Sequence, residues 1–117
     1  MWAQLITFRV HPGTTARVKD MIDHLIATEQ PDSGLILQMA MSDQRDPTSV
    51  YALAVFESEE KARAREQDPR HAEAEKPIRA MMAEVLASPP EFIDLEVVAE
   101  GTVPVGPFAS NVQGVSR

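Results

Sequence analysis

The chain contains no cysteine, so disulfide bonds, thiolate metal sites and cysteine nucleophiles are excluded. Positive charge is scarce as well, with 11 Lys and Arg against 18 Asp and Glu, which gives a net charge of -7. A nucleic-acid binder needs a basic surface, and an anionic membrane repels a protein of this charge. No apolar run approaches the ~20 residues that cross a bilayer. We therefore expect neither nucleic acid nor membrane as a partner.

Other site chemistries lack their usual sequence patterns. The three histidines lie far apart, no metal-ligand spacing recurs, and no glycine-rich loop joins a strand to a helix. The first residues lack a charged segment and a small-residue cleavage site, so we expect no signal peptide and a cytoplasmic location. No metal or cofactor is predicted from these residues.

What the chain does contain is enough apolar sequence for one folded domain. It has 117 residues, of which 44% are hydrophobic. Runs of strand-forming residues and apolar residues at helical spacing predict the order strand, helix, strand, strand, helices, strand. The predicted strands are residues 2–10, 35–42, 50–57 and 91–100, and the first helix is residues 14–29.

Helix signals divide the second half of the chain. Ser58 and Asp68 are each placed to cap a helix start, with Pro69 at the first helical position after Asp68. Thr14 or Thr15 is placed to cap the first helix. Pro77 lacks an N–H group, so we expect a break or kink near Lys76.

This order predicts an α+β, ferredoxin-like βαββαβ protomer, with a four-stranded antiparallel sheet and helices on one face. The two middle strands are apolar on both sides, whereas a half-exposed strand alternates apolar and polar residues. An uncovered apolar face of this size is typical of an interface. We therefore expect a homodimer through sheet-to-sheet packing; the alternative is that the C-terminal tail covers this face.

Three segments carry a family resemblance: MWAQLITFRVHPGT, VYALAVFESEEKARAREQDPRHAE and PPEFIDLEVV. They resemble the antibiotic biosynthesis monooxygenase-like family of dimeric α/β-barrel proteins. The resemblance implies a domain over residues 1–100, with a cavity between sheet and helices. Residues 101–117 would form an extension, whose expected docking site is the partner subunit.

The resemblance implies several functions. Some members oxidise aromatic phenols with molecular oxygen and no metal or flavin, which would make this chain an oxidoreductase for a phenol- or quinol-type substrate. The alternative is a non-catalytic, ligand-binding or stress-related dimer. Haem binding or degradation is disfavoured, because haem-degrading members place an Asn in strand one, where this chain has Ile6. They place a Trp in helix two, where it has Ala64 or Arg65.

Oxygenation without a cofactor needs a base, a group to hold an anion and a dry pocket. His71 is the candidate base because imidazole titrates near neutrality; the alternative is a surface histidine in a charged helix. Arg9 lies on the opposite side of its strand from Phe8 and is expected to pair with Asp94 or Glu96, across either the sheet or the dimer interface. The candidate residues for binding a small apolar or aromatic ligand lie on three strands: Gln4, Ile6, Phe8, Gln38 and Phe56.

Overall fold

The computed structural model describes residues 1–104 as a single sheet with helices packed on one of its faces. The elements in chain order are β1 (Trp2–Arg9), α1 (Thr15–Ala27), β2 (Leu35–Ser42), β3 (Ser49–Phe56), α2 (Glu59–Glu66), α3 (Pro69–Val85) and β4 (Glu91–Glu96). The strands lie in the order β2-β3-β1-β4, and every pairing is antiparallel. The predicted ferredoxin-like fold is confirmed.

Strand β4 ends at Glu96, four residues before the predicted end at residue 100, and residues 97–104 form no helix or strand. The boundary predicted at residue 100 stays a prediction. The predicted docking of the extension falls mainly on residues 105–117, outside the described part. No helix within residues 1–104 is long and apolar enough to cross a membrane.

Two of the three predicted helix caps are present. Ser58 Oγ accepts a hydrogen bond from the backbone N–H of Lys61 at 3.1 Å, and Asp68 Oδ1 accepts one from Arg70 at 2.8 Å. Each bond satisfies an N–H group that the first helical turn leaves free. The Thr14 hydroxyl instead donates to the His11 carbonyl at 2.6 Å, so it closes the turn before α1 and does not cap it.

Helix α3 contradicts the predicted break near Lys76. It runs without interruption from Pro69 to Val85, with Pro77 in its interior. Pro77 is exposed, whereas the next residue, Ile78, is buried in the core. The packing of the apolar face, which includes Ile78 and Val85, holds the helix together across the missing hydrogen bond.

The side chains of β1 and β3 alternate as predicted, but β2 contains an irregularity. Leu35 pairs with Phe56 and Leu37 pairs with Val55, so the register shifts between them. Leu35 consequently packs on the helix side of the sheet, although the sequence pattern places it on the same side as Leu37. Ile36, which strict alternation would place on the same side as Ala40, is exposed.

The interior is divided into two apolar clusters. One is built around Val18, Met21 and Ile78, and the other around Trp2 and Phe56. Side chains of both clusters line one cavity, which therefore lies between them. Alanines on the middle strands leave this space open, because a methyl group does not reach across to the helices.

The opposite face of the sheet is apolar and uncovered within residues 1–104. Its large side chains keep about two fifths of their surface exposed: Leu37, Met39, Met41, Tyr51, Ile93 and Leu95. This face is called the outer face below, and its exposed large apolar side chains come from β2, β3 and β4.

Candidate functional site

The candidate site is a cavity of about 600 Å³ between the helix side of the sheet and the three helices. Its volume falls within the range of ~300–1,000 Å³ that is usual for small-molecule sites. The structure brings every candidate residue from the sequence to this one cavity: Gln4, Ile6, Phe8, Gln38, Phe56 and His71. Their roles there stay predictions.

The floor of the cavity is a row of residues that crosses the sheet. Gln38 pairs with Ala54, Ala54 pairs with Gln4, and Gln4 pairs with Asp94. All four side chains line the cavity. The two glutamines therefore stand two strand spacings apart, or roughly 10 Å between Cα atoms, with only the methyl group of Ala54 between them.

His71 lies in the first turn of α3 and is only 10% exposed, so the interpretation as a surface histidine is wrong. Its Nε2 atom lies 3.1 Å from Oε2 of Glu75, one helical turn further on. The hydrogen bond from His71 lowers the pKa of Glu75 by more than burial raises it. An ionised carboxylate only accepts, so Nε2 carries a proton, and whenever the ring is neutral the lone pair is on Nδ1.

A second ion pair fixes the wall beside His71. The guanidinium of Arg65 binds both carboxylate oxygens of Glu29 at 2.8 Å, and both side chains are largely buried. Burial by itself raises the pKa of Glu29. The hydrogen bonds from Arg65 and Ser33 together outweigh this effect, so the pKa lies below its usual value. Arg65 also lies 5.4 Å above the ring of Phe56, which links helix α2 to the cavity floor.

At the β4 side, a chain of contacts positions Gln4. Its Nε2 donates to Oδ1 of Asp94 at 3.0 Å, and Arg63 binds Oδ2 of the same carboxylate at 2.7 Å. The hydrogen bonds from Gln4 and Arg63, in that order, lower the pKa of Asp94. Arg63 also lies 4.9 Å above the ring of Trp2. These groups form a polar edge on an otherwise apolar cavity.

The prediction that Arg9 pairs with Asp94 or Glu96 across its own sheet is wrong. Arg9 binds Asp46 at 2.7 Å and the Thr48 hydroxyl at 3.2 Å, in the loop between β2 and β3. It lies at the end of β1, beyond the last residue paired with β4, so Asp94 and Glu96 pair with residues near the other end. Arg9 therefore contributes to the turn and not to the cavity.

Gln38 differs from Gln4 because nothing holds its amide. Its Oε1 atom is buried and has no hydrogen-bond partner among the described residues. A buried carbonyl left unpaired costs about 1–3 kcal/mol, which makes Gln38 the least satisfied polar group of the cavity.

Sequence reasoning missed five charged residues of the lining: Arg63, Arg65, Glu66, Glu75 and Asp94. The spacing of His71 and Glu75, four residues apart in a predicted helix, was a usable signal for their contact. The pairs Arg65–Glu29 and Arg63–Asp94 join residues 36 and 31 positions apart, and no local pattern indicates them. Within residues 1–104, no three His, Asp or Glu side chains are grouped to hold a metal ion.

Similar folds occur in several solved structures. A protein of unknown function from Nitrosomonas europaea is 22% identical, with a TM-score of 0.64 over 90% of this chain and 95% of its own. SnoaB, a cofactor-independent oxygenase from Streptomyces nogalater, is 14% identical, with a TM-score of 0.65 over 85% and 94%. A protein from Mycobacterium tuberculosis is 15% identical, with a TM-score of 0.64 over 86% and 98%.

At these identities the structures establish the fold and not the activity. No curated protein sequence matches the chain. The family model described as antibiotic biosynthesis monooxygenase matches residues 1–77, which include β1 to β3, most of the cavity lining and His71. The chain belongs to the antibiotic biosynthesis monooxygenase family.

Proposed function

We propose that this protein is a cofactor-independent monooxygenase that oxidises a small phenol- or quinol-type aromatic substrate in the cavity between sheet and helices. One observation carries the proposal: His71, held by Glu75, lines an apolar cavity large enough for a small aromatic ligand. The family match and the likeness to an oxygenase described as cofactor-independent support it.

The chemistry follows from the tautomer that Glu75 selects. Nδ1 of His71 accepts the hydroxyl proton of the phenol, and the resulting anion is electron-rich enough to react with molecular oxygen. One oxygen atom becomes a new carbonyl on the ring. The other leaves as water with the two hydrogens that the substrate loses, so phenol and oxygen give quinone and water. Glu75 stabilises the imidazolium that forms.

Oxygen uptake with a panel of anthrone- and quinol-like compounds tests the proposal. We expect uptake above buffer from the unmodified protein and a loss of 100-fold or more in His71→Ala, because general base catalysis contributes ~10²–10⁴-fold. Ala52→Leu, which places a larger side chain on the cavity floor, should abolish uptake as well. His24→Ala is the matched control, because His24 lies on α1 outside the cavity lining and should keep full activity.

Two results would contradict the proposal. Uptake no greater than in buffer across the panel, together with tight binding of the same compounds, would favour a non-catalytic ligand-binding protein. Uptake that is equal in His71→Ala and His24→Ala would remove His71 from the reaction. A Soret band on titration with micromolar haem would instead revive the haem alternative.

We also propose that the protein is a homodimer in which two outer faces pack together. Six large apolar side chains on this face keep about two fifths of their surface exposed. At ~1.5–3 kcal/mol for each fully buried side chain, covering them contributes roughly 4–7 kcal/mol per protomer before the cost of association. This packing leaves the cavity, which opens on the helix side of the sheet, free for substrate.

A further inference from the structure

We infer that Gln4 and Gln38 present carbonyl oxygens to the ligand, so that the cavity selects an aromatic molecule with a hydroxyl group over one that carries only acceptors. The inference rests on the proposed function, because it concerns the ligand of the same cavity. It adds a requirement for a hydroxyl group that donates a hydrogen bond. A phenol or quinol has this group, and the quinone that oxidation produces does not.

Asp94 determines which end of the Gln4 amide is free. The amide nitrogen of Gln4 donates to Oδ1 of Asp94, whose other oxygen is held by Arg63. A carboxylate cannot donate, so turning the amide over would set two acceptors against each other. The Gln4 amide is therefore locked with its nitrogen toward β4, and its Oε1 has no partner among the described residues.

Gln38 supplies a second acceptor in the same row of the sheet. Its Oε1 is buried and unpaired, and Ala54 leaves the space between Gln38 and Gln4 open. Nothing among the described residues holds this amide, and the terminal torsion of a glutamine is broad, so the amide can turn until its oxygen meets a ligand hydroxyl. A ligand that donates a hydrogen bond thus satisfies a group that the empty cavity leaves unsatisfied.

This arrangement has a consequence for turnover. A quinol has two hydroxyl protons, so one can go to Nδ1 of His71 while the other is donated to the Gln4 oxygen. A quinone offers only carbonyl oxygens and would face the locked Gln4 carbonyl with a second acceptor. The oxidised product should therefore bind more weakly than the substrate and leave the cavity.

Isothermal titration calorimetry under argon tests the inference without turnover. The probes are 1-naphthol and 1-methoxynaphthalene, which share a ring system and an oxygen but differ in the hydroxyl proton. We expect the unmodified protein to bind 1-naphthol about tenfold more tightly, which is the size of the net contribution expected from one added hydrogen bond to the Gln4 oxygen.

Two matched variants distinguish the effect of the Asp94–Gln4 hydrogen bond from the effect of removing a carboxylate near Arg63. Asp94→Asn and Glu59→Gln each remove one carboxylate that pairs with Arg63, but only Asp94 holds Gln4. An asparagine can accept or donate, so Gln4 can turn over in Asp94→Asn, and the preference should fall to about twofold. Glu59→Gln should keep the tenfold preference. Gln4→Leu, confirmed as folded by circular dichroism, should lose the preference through weaker 1-naphthol binding alone.

Equal affinities of the two probes for the unmodified protein would overturn the inference. So would a preference that persists unchanged in Asp94→Asn. Neither result touches the oxygen-uptake experiment, and a full preference without uptake would contradict the proposed oxygenase while leaving the inference standing. Absence of binding for both probes would contradict the inference and also the assignment of the cavity to an aromatic ligand.

Discussion

At the scale of single residues, the cavity exists because small side chains stand where large ones would fill the core. Ala52 and Ala54 occupy the helix side of the central strand β3, and Ala40 faces the same side from β2. Ala52 belongs to neither apolar cluster, so its methyl group faces the space between them. The polar residues of the lining are in turn held by neighbours, with the exception of Gln38.

Asp46 is the residue whose titration should be easiest to detect in the stability of the fold. It accepts hydrogen bonds from the Thr48 hydroxyl at 2.5 Å and from Arg9 at 2.7 Å. These bonds, led by Thr48, lower its pKa from 3.8 to about 2. Because the pKa of Asp46 is lower in the folded state than in the unfolded state, ionised Asp46 stabilises the fold. This contribution is complete above pH 3.8 and is lost as the pH falls toward about 2.

We predict that Asp46→Asn unfolds at a lower urea concentration than the unmodified protein at pH 5, and that this difference shrinks between pH 4 and pH 2. Urea midpoints measured across this range check the prediction. Arg9→Met removes one of the donors to Asp46 and should show a smaller dependence in the same window. A difference between Asp46→Asn and the unmodified protein that stays constant from pH 5 to pH 2 would be the contrary result.

At the scale of secondary-structure elements, α3 combines a favourable and an unfavourable proline. Pro69 stands at the first helical position, where its missing N–H costs nothing and its φ angle suits the helix. Pro77 stands in the interior, where it removes the hydrogen bond to the carbonyl of Glu73. The two prolines lie in one helix, so they form a natural pair for comparison.

We predict that Pro77→Ala raises the free energy of unfolding by about 2–3 kcal/mol, since an interior proline costs ~3 kcal/mol and its stiffening of the unfolded chain recovers ~1 kcal/mol or less. Pro69→Ala should leave stability unchanged or lower it slightly. Urea unfolding of both variants provides the measurement. A stabilisation of the same size in both, or none in Pro77→Ala, would show that position in the helix does not matter.

Element order and strand alternation were predictable from the sequence, because both depend on local periodicity. The alternation of Gln4, Ile6 and Phe8 placed them on one side of β1, and the structure places them along the cavity. Leu35 was misplaced because the irregularity at Ile36 leaves no mark in an uninterrupted apolar run.

The partners of the site residues were less predictable. Pairs such as Arg65 with Glu29 depend on how α2 packs beside the end of α1, which tertiary structure decides. The sequence contains many carboxylates that could pair with each arginine, and Arg9 is an example. The alternation of side chains along β1 correctly predicted its side of the sheet, but its position at the end of the strand determined its partner, Asp46.

At the scale of the whole molecule, the sheet separates two surfaces. Its helix side holds the cavity, and its outer face carries the exposed apolar side chains of β2, β3 and β4. The proposed dimer would cover the outer face of each protomer with that of its partner. The alternative, in which the chain beyond residue 100 covers this face, would satisfy the same side chains within one protomer.

A single charge in the outer face distinguishes these alternatives. Met39 lies in the middle of β2 and pairs with Leu53, with both side chains on the outer face. We predict that the unmodified protein has twice the 12.9 kDa chain mass in solution and that Met39→Asp is monomeric, because a buried unpaired carboxylate is strongly destabilising. Ile26→Asp, at an exposed apolar residue on α1, should remain dimeric. Size-exclusion chromatography with light scattering gives the masses.

A monomeric unmodified protein at low micromolar concentration would contradict the dimer. It would favour the alternative in which the chain's own C-terminal residues cover the outer face.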